Sequence, residues 1–203
     1  MITMKKVEEK LNPYSICFIK DVKNFENASY KAYADMARRT LKIDADSKTK
    51  QKLKENVTAN LKKSIVELNG VYSQSEFNEW HKNVCNRIIQ TYHKNSYEIT
   101  YGQAQKWLNM LFKYLYAYSV ENYDKLFSYE LIKVLHMPID SKIIKELNEK
   151  FNIPKPKSSW SNLTQCEYIE YQSKIRCTFE GQHFCNPDKK IPFFWEMINW
   201  SKL

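Results

Sequence analysis

Residues Ile99–Leu115 read ITYGQAQKWLNMLFKYL. Ala104, Trp107, Leu108, Leu111, Leu115 and Tyr118 recur at three- and four-residue spacing, which predicts a helix over 101–118. Met110, Phe112 and Tyr114 add apolar area on its other sides. A helix that is apolar nearly all round belongs at the centre of a bundle, with the others packed about it. Thr100 and Gln103 form a capping box that sets its first turn.

The flanking segments read as partners for that helix. Periodicity and stop signals predict helices over 3–11 (ended by Asn12-Pro13), 21–41 and 48–69 (capped by Asp46 or Ser47, ended at Gly70). Ser73 with Glu76 opens a helix running to His93, and Thr164 with Glu167 opens one over 165–179. Shorter helices are expected at 127–135, which ends before Pro138, and at 141–150, capped by Asp140. Tyr14–Ile19 is brief and apolar, either a helix start or an isolated strand. Asn152–Trp160 (NIPKPKSSW) reads as an extended linker. The end at Pro192–Trp200 holds Phe193, Phe194, Trp195 and Trp200, aromatic area that is expected to fold back on the body. The expectation is an all-α, single-domain bundle of seven or eight helices over 1–203. Its parts are a basic subdomain 1–70, a core 71–150 and a C-terminal extension 151–203.

Composition narrows the class further. The 203 residues are 43% hydrophobic and 14% aromatic, enough to build a core rather than a disordered tail. Three glycines are too few for the turns of an all-β fold or for a phosphate-cradling glycine loop. No apolar run reaches the roughly 18 residues of a membrane span, and MITMKKVEEK lacks the apolar stretch of a secretory signal. Five irregularly spaced cysteines then read as reduced thiols in a cytoplasm, with Cys85 in the core. Cys166, Cys177, His183 and Cys185 fall within twenty residues, but zinc sites present close C-x₂₋₄-C pairs and none occurs, so no metal or cofactor is expected.

The charge is uneven. Residues 1–63 carry 15 Lys or Arg against 8 acids, whereas residues 64–203 carry 17 against 15. Clustered charge builds a field. Arg38 and Arg39 in the last turn of one helix, with Lys48, Lys50, Lys52, Lys54, Lys62 and Lys63 on the next, are the candidate phosphate contacts. Solvated surface lysine is the alternative reading of the same residues. Tyr92, Tyr97, Tyr101, Tyr114, Tyr116, Tyr118, Tyr123 and Tyr129 interleave with Lys94, Lys106, Lys113 and Lys125, an arrangement that could stack bases or simply pack.

Two turns carry a sharper hypothesis. Ile99–Leu115 places Gly102 in a turn that opens a buried helix, and LHMPIDSKII at 135–144 places a Pro-Ile-Asp-Ser turn before another. Together they resemble the helix-hairpin-helix DNA glycosylase superfamily, over about a quarter of the chain. The family's hairpin carries two close glycines where this chain has Gly102, and its lysine stands several positions from Lys106. The resemblance implies that Asp140 matches the catalytic aspartate, Lys106 the lysine of bifunctional members and Gly102 a phosphate-approaching glycine. His136 beside Asp140 would complete an acid/base pair. The plainer reading, which the residue types favour, is Asp140 as an N-cap and Lys106 as a solvent-facing residue.

The expected function is therefore nucleic-acid binding, DNA before RNA, by a non-catalytic or degenerate relative of such glycosylases. The alternative is a small protein-interaction module or inhibitor of the phage or mobile-element kind, whose target could itself bind nucleic acid. The sequence leaves oligomeric state open.

Overall fold

A computed structural model describes residues 22–68, 73–118, 123, 126–184 and 187–200. Among these residues there are eight α-helices and no strand: α1 (Phe25–Thr40), α2 (Ser47–Val66), α3 (Gln74–His93), α4 (Tyr101–Ala117), α5 (Tyr129–Val134), α6 (Ser141–Phe151), α7 (Gln165–Gly181) and α8 (Pro192–Trp200). Short 3₁₀ turns occupy Trp160–Asn162 and Pro187–Lys190. No helix among the described residues is long and apolar enough to cross a membrane. The expected helix over 3–11, the stretch Tyr14–Ile19, Gly70, Cys17 and Cys185 lie outside the described residues.

Short polar side chains start these helices. Asp46 accepts the Thr49 N–H at 2.7 Å and Asp140 that of Ile143 at 2.9 Å. Ser73–Glu76, Thr100–Gln103 and Thr164–Glu167 form reciprocal capping boxes. Each satisfies backbone donors that the first helical turn leaves unpaired. The first described helix begins at Phe25 because Asn24 caps it, accepting the Asn27 N–H. At the far end of α6, Asn152 takes a left-handed conformation with φ 55° and stops the helix.

Helix α4 is buried along Tyr101–Tyr116 and forms the axis of the bundle. Trp107 holds α1 against it, its indole N–H donating to the Ser29 carbonyl at 3.0 Å. The Ser29 hydroxyl meets that of Thr58 at 2.8 Å, which brings α2 to the same place. The aromatic C-terminal segment packs inward as α8, burying Phe193, Phe194, Trp195 and Met197. Side chains from α1 through α8 belong to one hydrophobic cluster.

Asn152–Trp160 is not a free linker. Ile153 is buried, and the Trp160–Asn162 turn that follows lies against the start of α4. Gly102 makes that approach possible: a Cβ there would lie 2.2 Å from the Trp160 carbonyl oxygen and 2.8 Å from that of Ser161. Both obstacles are backbone, so Gly102→Ala is expected to destabilise by about 1–3 kcal/mol. Gly181→Ala, with nothing within 4 Å of the added atom, is expected to be neutral or stabilising by up to about 1 kcal/mol. Urea unfolding of both variants checks the contrast.

Candidate nucleic-acid interface

Three separate pieces of chain are anchored to the first two turns of α4. The Gln103 side-chain amide donates to the Thr40 carbonyl at 2.7 Å and fixes the end of α1. The Gly102 N–H donates to the Leu163 carbonyl at 3.0 Å, and the Thr100 hydroxyl donates to that of Ser161, which fixes the Trp160–Asn162 turn. The Lys106 ammonium meets the Asp140 carboxylate at 3.1 Å and fixes the start of α6.

These three pieces enclose a cleft of about 440 Å³, lined by Asp35, Arg38, Arg39, Thr40, Asp140, Ser141, Lys142 and Trp160, among others. A second hollow of about 340 Å³ adjoins it. It shares Ser141, Ser159 and Trp160 with the first and adds Lys145, Lys155 and Lys157.

The walls are electrostatically one-sided. Six cationic side chains line the two hollows against two carboxylates, Asp35 and Asp140. Arg38, Arg39, Lys142, Lys145, Lys155 and Lys157 are all exposed. Both carboxylates are held within the protein. Asp35 accepts from the Tyr114 hydroxyl. Asp140 accepts the Ile143 N–H on Oδ1 and the Lys106 ammonium on Oδ2. Burial pushes the Asp140 carboxyl up, but Lys106, the Ile143 N–H and Lys113 outweigh it and hold the group below its ordinary value. Cations thus outnumber acids in the lining, although Lys145 also pairs with Glu149 at 3.8 Å and Lys157 acts on the Glu167 carboxylate.

The sequence-predicted residues divide sharply. Arg38 and Arg39 line the cleft with Asp140, as a phosphate site would require. Lys106 and Asp140 meet, but Lys106 is only 3% exposed, so its expected solvent-facing position is corrected. Its long stem lies within the bundle because its ammonium has a carboxylate to reach. None of the lysines of α2 lines either hollow. Lys48, Lys50, Lys52 and Lys63 are exposed, Lys62 pairs with Glu26 at 2.7 Å, and Lys54 lies over the Tyr30 ring at 4.3 Å.

Gly102 is not open to a phosphate. Its N–H is taken by Leu163, and the Trp160–Ser161 backbone covers it. His136 does not pair with Asp140. It is 2% exposed and meets Asn78 at 2.8 Å and the Tyr168 hydroxyl at 2.9 Å. Tyr92, Tyr101, Tyr114, Tyr116 and Lys113 are buried, which removes them from any base-stacking surface. Cys85 is buried, Cys166 and Cys177 are exposed free thiols, and no group of three metal-ligating side chains gathers among the described residues.

Beneath the cleft lie polar pairings that the sequence analysis did not predict. Lys113 pairs with Glu196 of α8 at 2.9 Å, both buried. Burial pushes the Lys113 ammonium down and the Glu196 carboxyl up, while their mutual attraction opposes both shifts. The signal was the seven-residue spacing of Lys106 and Lys113, which puts both on one face of α4.

Nearby, His81 Nε2 meets Asn109 Oδ1 at 3.1 Å, and the Asn109 amide donates to the Tyr168 hydroxyl at 2.8 Å. That hydroxyl donates in turn to His136 Nδ1, and His136 Nε2 donates to Asn78, so both rings are assigned as neutral from their partners.

Comparison with known proteins finds no family model, no curated protein and no solved structure that matches this chain.

Two predictions follow from the buried groups. Burial pushes His81 down to about 3, and burial, with the nearby His81 and Arg176, pushes His136 well below 6.5. The unfolded chain protonates these rings near pH 6.5, so it binds more protons than the native state below that pH. Stability is then complete above pH 6.5 and falls as pH drops, by up to about 1.4 kcal/mol per pH unit for each ring. The urea midpoint is expected to fall between pH 7.5 and pH 5, and an unchanged midpoint would contradict neutral buried rings. Lys113→Met, which leaves Glu196 buried and unpaired, is expected to lose about 3–5 kcal/mol in chemical denaturation, most of it recovered in Lys113→Met/Glu196→Leu.

Proposed function

We propose that this protein binds nucleic acid through the cleft between the end of α1 and the start of α6. The observation that carries the reading is the convergence of Arg38, Arg39 and Lys142 on a hollow that Trp160 also lines. Arginine pairs with phosphate oxygens through a planar fork, and an aromatic wall accepts a base. Lysines of the adjoining hollow extend the positive surface past Trp160. The exposed lysines of α2 lie outside this surface and act as a solvated face.

Binding, rather than base removal, fits the state of Asp140. Both of its oxygens are engaged, one as helix cap and one with a buried lysine. On this reading the chain is a helical scaffold presenting a polyanion site without the glycosylase superfamily's chemistry. An exposed aromatic patch at the C-terminus would favour the interaction-module reading, and Phe193, Phe194 and Trp195 are instead buried.

Affinity for an oligonucleotide, measured by fluorescence anisotropy, is expected to weaken steeply with salt. Arg38→Ala/Arg39→Ala is expected to lower the slope of log K against log salt by about 1.4 for a single strand, the share of two phosphate contacts. Lys48→Ala/Lys52→Ala on α2 is expected to change it little. Equal losses from the two pairs would contradict the cleft as the binding surface. Retention no greater than that of a neutral protein at low salt would contradict nucleic-acid binding altogether.

A further inference from the structure

Trp160 stands where the two hollows meet. It lines both, together with Ser141 and Ser159. The turn that carries it is fixed on its other side. The Asn162 N–H donates to the Ser159 carbonyl at 2.8 Å, the Thr100 hydroxyl donates to Ser161, and the Trp160 backbone sits against Gly102. Trp160 is half-buried, packed in part against the hydrophobic core, and it lines both hollows. It is held on a braced turn rather than on a mobile loop, and a ring already fixed in place loses little entropy when a planar ligand stacks on it.

Cations line both of the hollows that share Trp160. Arg38 and Arg39 lie in one hollow and Lys155 and Lys157 in the other, each hollow about the volume of a small-ligand site. An aromatic face between two positive hollows matches one repeating chemistry: a base with a phosphate before it and a phosphate after it. A duplex keeps its bases stacked on each other and offers a lone indole no ring face away from its ends. A single strand offers a face at each nucleotide.

Resting on the proposed nucleic-acid reading, we infer that the ligand is a single strand, with one base stacked on Trp160 and the flanking phosphates held in the two hollows.

The test uses the full chain and four probes at fixed low salt, read by anisotropy: a labelled twelve-nucleotide single strand, its duplex, a strand of equal length made of abasic sites, and adenosine monophosphate as competitor. The single strand is expected to bind about tenfold more tightly than the abasic strand. It is also expected to bind more tightly than the duplex and to resist adenosine monophosphate at equal base concentration. Trp160→Ala is expected to erase the advantage over the abasic strand, and Trp160→Phe to retain most of it.

Intrinsic fluorescence gives a second readout. Trp80, Trp107 and Trp195 are buried, and quenching at Trp160 is read as the difference between the parent and Trp160→Phe, which keeps an aromatic ring at the site and leaves Trp200 in place; that difference is expected to hold most of the quenching. Equal binding of strand and abasic strand, duplex binding as tight as single strand, or full displacement by the mononucleotide would overturn the single-strand inference and leave nucleic-acid binding standing. Binding of none of the polymers would overturn the parent reading instead.

Discussion

The first two turns of α4 hold the cleft together. Thr100, Gly102, Gln103 and Lys106 lie within seven residues, and each reaches a different piece of chain or a different atom of the same turn. Gln103 works in two directions, its side-chain oxygen accepting the Thr100 N–H inside the capping box and its amide donating to Thr40. The end of α1, the Trp160–Asn162 turn and the start of α6 therefore share one reference frame. Arg38, Arg39, Lys142 and Trp160 inherit their places from it, although none of them belongs to α4.

The sequence showed the scaffold well and the site poorly, for a physical reason. Caps and hydrophobic period are local, so Asp46, the three capping boxes, Asp140 and the all-round apolar character of 101–118 could be read directly. Arg38 and Arg39 were candidates because of charge, and they do line the cleft. The lysines of α2 were candidates for the same reason and do not, because charge density says nothing about which face a helix turns toward a groove. Trp160 sat in a segment that read as a linker. Its role depends on a backbone approach at Gly102, 58 residues away, that no local pattern encodes.

Lys106 and Lys113 show the same limit from inside the core. Lysine normally stays in water, since an isolated ammonium in a low-dielectric interior is strongly disfavoured. Both are buried here because α6 and α8 bring carboxylates to them. Such pairs add little net stability compared with apolar packing, yet mispairing leaves a buried charge exposed to no solvent. Their effect is to specify which helix docks where. The neutral His81–Asn109–Tyr168–His136 chain works in the same way for α3, α4 and α7, with fully matched donors and acceptors.

The account depends on the Lys106–Asp140 pair, in which buried Lys106 holds a carboxylate that lines the cleft and thereby fixes the start of α6. A double-mutant cycle with Lys106→Met and Asp140→Asn tests it most directly, because Asn keeps the helix cap and the double variant removes the charge pair together. The cycle is read both as unfolding free energy and as affinity for a single-stranded oligonucleotide. The account predicts a coupling of about 1 kcal/mol or more in each readout. Additive effects on affinity, or a Lys106→Met variant that folds and binds as the parent does, would contradict it.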